Sequence, residues 1–117
     1  MTLYSSGAGS TKPIILGTVF NAAVNADADI FSSNLKVTSD GIIRVTVSLS
    51  VDAILRARVT RGGATALVDY NGGVDLTGNS VYMFDLGVRE NDEVNFQVSA
   101  NVTVNLMSVD LITATGP

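Results

Sequence analysis

The chain has no cysteine and no histidine, and only 15 % of its 117 residues are charged. Each shortage removes a class of chemistry. Without cysteine there is no disulfide framework, no thiolate metal site and no cysteine nucleophile. Without histidine, the usual general base, the commonest transition-metal ligand and the side chain that titrates near neutrality are missing together. Seven Lys and Arg against eleven Asp and Glu give a net charge of −4, so the chain has no basic footprint for a phosphate backbone and nucleic acid is not an expected partner. No stretch approaches the ~18 uninterrupted apolar residues of a membrane-spanning helix. The opening "MTLYSSGAGSTK" lacks the basic start and apolar run of a secretory signal. A protein made and folded in a cytoplasm, with no membrane partner, is the expectation.

Against these shortages stands an apolar content of 46 %. The charged fraction lies well below the roughly 25 % of an average soluble protein. Much of the surface is therefore expected to be uncharged polar, or buried against other subunits. The length suits one domain.

Period-two alternation, the mark of half-buried strands, dominates the chain. In "GIIRVTVSLSVDA" Ile43, Val45, Val47, Leu49 and Val51 fall on one face and Arg44, Thr46, Ser48 and Ser50 on the other. "ILRARVT" repeats the pattern with Leu55, Ala57 and Val59 inward and Arg56, Arg58 and Thr60 outward, until "RGG" at Arg61 to Gly63 marks a hairpin connection. Thr65 to Tyr70, Ser80 to Leu86, Glu93 to Ser99 and Val102 to Ile112 continue the series. In the last of these, Val102, Val104 and Leu106 hold one phase while Met107, Val109 and Leu111 hold the other, which a bulge near Leu106 or burial on both faces would reconcile.

Pro13 to Phe20 and Asn34 to Thr38 read as weaker strands, and Phe20 to Phe31, "FNAAVNADADIF", reads as a loop with at most a short strand. Eight or nine short strands with turn signals every 8 to 12 residues imply an all-β fold, an antiparallel β-sandwich or jelly roll of about 8 strands. Residues 1–12 are expected to form a flexible N-terminal arm, since "SSGAGST" is small and polar, and 13–117 a single jelly-roll domain.

The runs "DIFSSNLKVTSDGIIRVTVSLSVD", "LRARVTRGG" and "NSVYMFDLGVRENDEVNFQVSANVTVNLMSVDLI", over about residues 14 to 112, resemble the jelly roll of tumour necrosis factor and the globular heads of complement and collagen-like proteins. In that family a glycine corner leads into a long central strand, here Asp40-Gly41 and Ile42 to Ser50. A tight turn precedes the penultimate strand, here Asn91-Asp92-Glu93-Val94. Ile43 stands where the family has an aromatic and Asn91 where it has a glycine, and no collagen stem precedes the domain. The same compact jelly roll occurs in bacteriophage capsid decoration proteins and fibre heads, and the resemblance implies a virion protein of that kind.

Candidate chemistry is sparse. "DYNGGVDLTGN", Asp69 to Asn79, matches positions 1 and 3 of an EF-hand loop with Asp69 and Asn71, but Gly73 occupies position 5, Val74 replaces the glycine and Ser80 the glutamate. An inter-strand turn is favoured over a calcium site built from Asp69, Asn71 and Asp75. Asp27 and Asp29 of "NADAD" are expected in a solvated loop, with a hard-cation site as the alternative. Glu90, Asp92 and Glu93 of "VRENDEV" are expected around a solvated turn beside Arg89, because one turn offers no pair of carboxylates across a cleft. A single "RGG" says little about RNA, and the serines lack a base, so the chain is not expected to be an enzyme and no cofactor is implied.

Arg44, Arg56 and Arg58 occupy outward positions of two strands that look adjacent, and arginine is enriched at interfaces. With Tyr70, which flanks the glycine-rich loop, they are the candidate interface residues. A homotrimer bound to a capsid or another virion protein is the expected assembly. A carbohydrate- or receptor-binding fibre head is the alternative, with Tyr70, Tyr82 and Tyr4 as stacking candidates among only seven aromatics.

Overall fold

The computed structural model describes residues 10–115, which fold into eight strands. They are β1 (Ser10–Val24), β2 (Leu35–Lys36), β3 (Gly41–Leu49), β4 (Leu55–Arg61), β5 (Ala64–Asp69), β6 (Val81–Val88), β7 (Glu93–Val98) and β8 (Val102–Thr115), with one short 3-10 turn at Tyr70–Gly73. Sheet A runs β1-β8-β3-β6 and sheet B runs β2-β7-β4-β5, with every pair antiparallel. The pairs β4·β5, β3·β6, β2·β7 and β1·β8 are nested, so the chain is one long hairpin rolled into two sheets, which is the jelly-roll topology. Its tip is Gly62-Gly63, where φ of 58° and 84° gives the two positive values that a two-residue turn of matching twist requires.

Alternation fills the core as the sequence implied, except that Val51, beyond the end of β3, is exposed. Ile43, Val45, Val47 and Leu49 of β3 meet Leu55 and Ala57 of β4, Val94, Phe96 and Val98 of β7, and Val104, Met107, Val109 and Leu111 of β8. The two phases of β8 are joined by a bulge: Ser48 pairs with Leu106 but Leu49 with Val104, leaving Asn105 as the extra residue. Inward positions are therefore Val102 and Val104 before the bulge and Met107, Val109 and Leu111 after it.

The weak strands differ most from expectation. β1 is fifteen residues long and absorbs Phe20–Val24, because its whole length finds a partner in β8. β2 shrinks to two residues, the rest of that edge being closed by single contacts: Asp27 N–H donates to Val98 O and Ile30 N–H to Phe96 O. Gly17 follows a bulge in β1 and lies under Phe31, where a Cβ would come within 2.7 Å of the ring. Of the arm expected over residues 1–12, residues 1–9 lie outside the described chain, and Ser10 already belongs to β1.

Candidate functional site

The candidate arginines do not share a surface. β3 pairs with β6 and β8, and β4 with β5 and β7, because the chain crosses from one sheet to the other between them. Arg44 therefore stands on the outer face of sheet A, and Arg56 and Arg58 on the outer face of sheet B. All three are engaged within the chain. Arg44 forks onto Asp85, its cross-strand neighbour on β6, through Nε–Oδ1 at 2.9 Å and Nη2–Oδ2 at 3.1 Å. Those bonds lower the Asp85 pKa below its ordinary value. Arg44 also faces Asp110 on β8, whose Oδ1 is buried with no hydrogen-bond partner among the described residues.

Arg56 bonds Asp69 at 2.9 Å and lies 3.5 Å from Asp27, while Arg58 forks onto Asp29 at 2.6 and 3.0 Å and reaches Asn34 at 2.9 Å. These bonds bind the segment from Asp27 to Asn34 across the outer face of sheet B. The buried Asn95 completes the tie by accepting from Phe31 N–H and donating to Phe31 O and Asn34 Oδ1. "NADAD" is thus an exposed loop, as expected, clasped to β4 through Asp29 and more loosely through Asp27. Its signal was present: aspartates two apart match arginines two apart.

Tyr70 is turned inward. It leaves β5 in the 3-10 turn, lies against Phe84 of β6, and buries its hydroxyl without a partner among the described residues, so that burial pushes its pKa well above the ordinary value. Its ring is not presented as a sugar platform. The Tyr82 hydroxyl accepts from Thr77 N–H at 2.9 Å, and hydrogen bonding with Thr77 lowers its pKa. Tyr4 lies outside the described residues.

The stretch Asp69–Asn79 carries the chain from sheet B to sheet A. Asn71, Gly72, Gly73 and Asn79 take positive φ, Leu76 is buried against Ala53, and Asp52 accepts from Gly78 N–H at 2.8 Å. Asp69 is held by Arg56. Among the described residues no group of three or more acidic side chains is placed to hold a metal ion.

The turn after β6 also departs from expectation. Asp92 is 1 % exposed and accepts two bonds from Arg61, at 2.8 and 2.7 Å, and one from Arg89 N–H at 2.9 Å. The Arg61 bonds hold its carboxyl below the usual range. Asp92 pins this turn to the β4–β5 hairpin, which an acidic run read in isolation does not reveal.

What remains open is poor in charge, with apolar side chains set among serines and threonines. On the outer face of sheet A, register aligns Phe20, Leu106, Ser48 and Val81 in one row and Thr18, Ser108, Thr46 and Met83 in the next. Phe20, Val81 and Met83 are each 65 % exposed and Ile15 72 %, and the charges on this face among the described residues are Arg44, Asp85 and Asp110. The second open surface is the edge where β5 and β6 face each other. Ala64, Ala66 and Val68 point between the sheets yet stay exposed, because no strand of sheet A lies opposite them beyond β6. With Val59, Leu86 and Gly87 they line a cleft of about 380 Å³, with Arg61 and Thr65 among its lining residues. Nothing charged interrupts β5 from Ala64 to Val68.

No protein-family model matches the chain, and no curated protein matches it significantly in sequence.

Proposed function

We propose that the protein is a non-enzymatic structural protein of a virion, a homotrimer that decorates or cements a capsid after synthesis in the host cytoplasm. The observation that carries this reading is the pair of unlike apolar surfaces on so small a domain. Monomeric proteins rarely leave large contiguous apolar patches open, and both surfaces here are poor in charge. A flat sheet face and an open sandwich edge are not self-complementary. Packing the edge of one copy on the face of the next is a heterologous contact, which closes into a ring if the rotation allows. The virion role and the number three rest on the jelly-roll resemblance. Attachment would gain from several weak contacts made at once by a ring on a symmetric shell.

Sedimentation at micromolar concentration tests the assembly: a trimer is expected, and a monomer peak would count decisively against it. Met83→Glu, which places charge on the exposed face without touching the core, is expected to shift the trimer to monomer. Binding to empty capsids together with a blank glycan array supports decoration. Glycan binding on the array together with no binding to empty capsids would move the reading to a fibre head.

A further inference from the structure

Nine asparagines lie among the described residues, and Asn71 alone is followed by glycine. The others precede Ala, Leu, Ser, Asp, Phe or Val, whose side chains hinder approach to the following peptide nitrogen. Several are also tied by their side chains: Asn95 to Phe31 and Asn34, Asn101 to Ala26 N–H, and Asn79 to Asn105. The Asn71 side chain is exposed and makes no hydrogen bond among the described residues. Its backbone sits at φ 54°, ψ 33°, followed by Gly72 at φ 64°, ψ 25°. Beyond the bonds of the 3-10 turn itself, Val74 N–H donates to Asn71 O at 3.2 Å, and no atom lies within 4 Å of where a Gly72 Cβ would stand. The Asn71-Gly72 peptide therefore lies in open space, held only by the local bonds of a short turn.

We propose that Asn71-Gly72 is a site of spontaneous deamidation, and that its isoaspartate product unseats Tyr70 from the edge of the sandwich. The Gly72 peptide nitrogen attacks Asn71 Cγ, loses its proton to solvent and expels the side-chain amide as ammonia, forming a five-membered succinimide. Water then adds to either carbonyl. Opening at the side-chain carbonyl gives aspartate. Opening at the backbone carbonyl gives isoaspartate, which routes the main chain through Cβ and lengthens it by one methylene. No oxidant or partner is needed. Both products add a negative charge to a loop that already carries Asp69 and Asp75, but only isoaspartate changes the path of the chain one residue after Tyr70.

Peptide mapping after incubation of the intact protein in mildly alkaline and mildly acidic buffer tests the first half. The expected result is a gain of about 1 Da at Asn71, faster in the alkaline buffer, resolved into aspartate and isoaspartate, and absent from Asn71→Gln. An Asn71 that stays intact in the folded protein while deamidating in urea would overturn the proposal, since the fold would then be shielding it. The second half is read by amide exchange over Tyr70 to Leu76. Aged protein is expected to exchange faster there than fresh protein, and Asn71→Asp, which adds the charge without the methylene, to match the fresh protein. Equal exchange in aged and fresh samples would overturn the link to Tyr70.

Discussion

Asp92 shows how much one carboxylate can hold. It is buried and joins the β6–β7 turn to Arg61 at the end of β4. Asp92→Ala leaves the guanidinium and the Arg89 amide without their acceptor, and is expected to cost about 2 kcal/mol or more, a fall in Tm of several degrees by calorimetry. The pH dependence has a definite sign. Because the folded-state pKa is depressed, the contribution is fully present above the unfolded value of about 4 and is lost as pH falls through the folded one. Wild-type stability is expected to drop on acidification below about pH 4, and Asp92→Asn to flatten that drop in denaturant titrations. Gly17 is the second single-residue constraint. Gly17→Ala drives a Cβ against Phe31, and unfolding in urea is expected to show a loss of about 1–3 kcal/mol.

Among the elements, legibility followed periodicity. β3, β4, β6, β7 and β8 are legible because alternate side chains enter the core, and the phase change near Leu106, open in sequence to a bulge or to burial on both faces, is a bulge. β1 was harder to read, since an edge strand buries few of its side chains and a bulge at Ile15–Gly17 breaks its phase. Adjacency was not legible either. Arg44 and Arg56 looked like neighbours because their strands follow one another, whereas pairing is set by which strand returns alongside. The same blindness hid the clasp of Asp27 and Asp29 on Arg56 and Arg58, contacts between residues far apart along the chain. Arg58→Ala is expected to loosen the segment from Asp27 to Asn34 selectively: hydrogen exchange should rise at Phe31 while the amides of β3 stay protected.

At the scale of the whole molecule, the proposed assembly would make stability depend on contacts at the open edge and the exposed sheet face. Partners that bind only the folded state raise its apparent stability by mass action, so Tm is expected to rise with protein concentration under reversible conditions. In Met83→Glu that dependence should vanish while the melting point at high dilution stays close to wild type, because Met83 lies outside the core. Concentration-independent melting of the wild type would remove assembly as a source of its stability.

The rolled hairpin also fixes an order of events at the ribosome. Among the strands of the described residues β8 is made last, yet it lies between β1 and β3 and pairs with β1 along its length. Until β8 leaves the exit tunnel, β1 lacks the strand it pairs with among the described residues, and β3 has β6 alone of its two neighbours. Sheet A is therefore completed only once β8 has emerged, and a nascent chain stalled before Val102 carries an unfilled core that must be kept from aggregating.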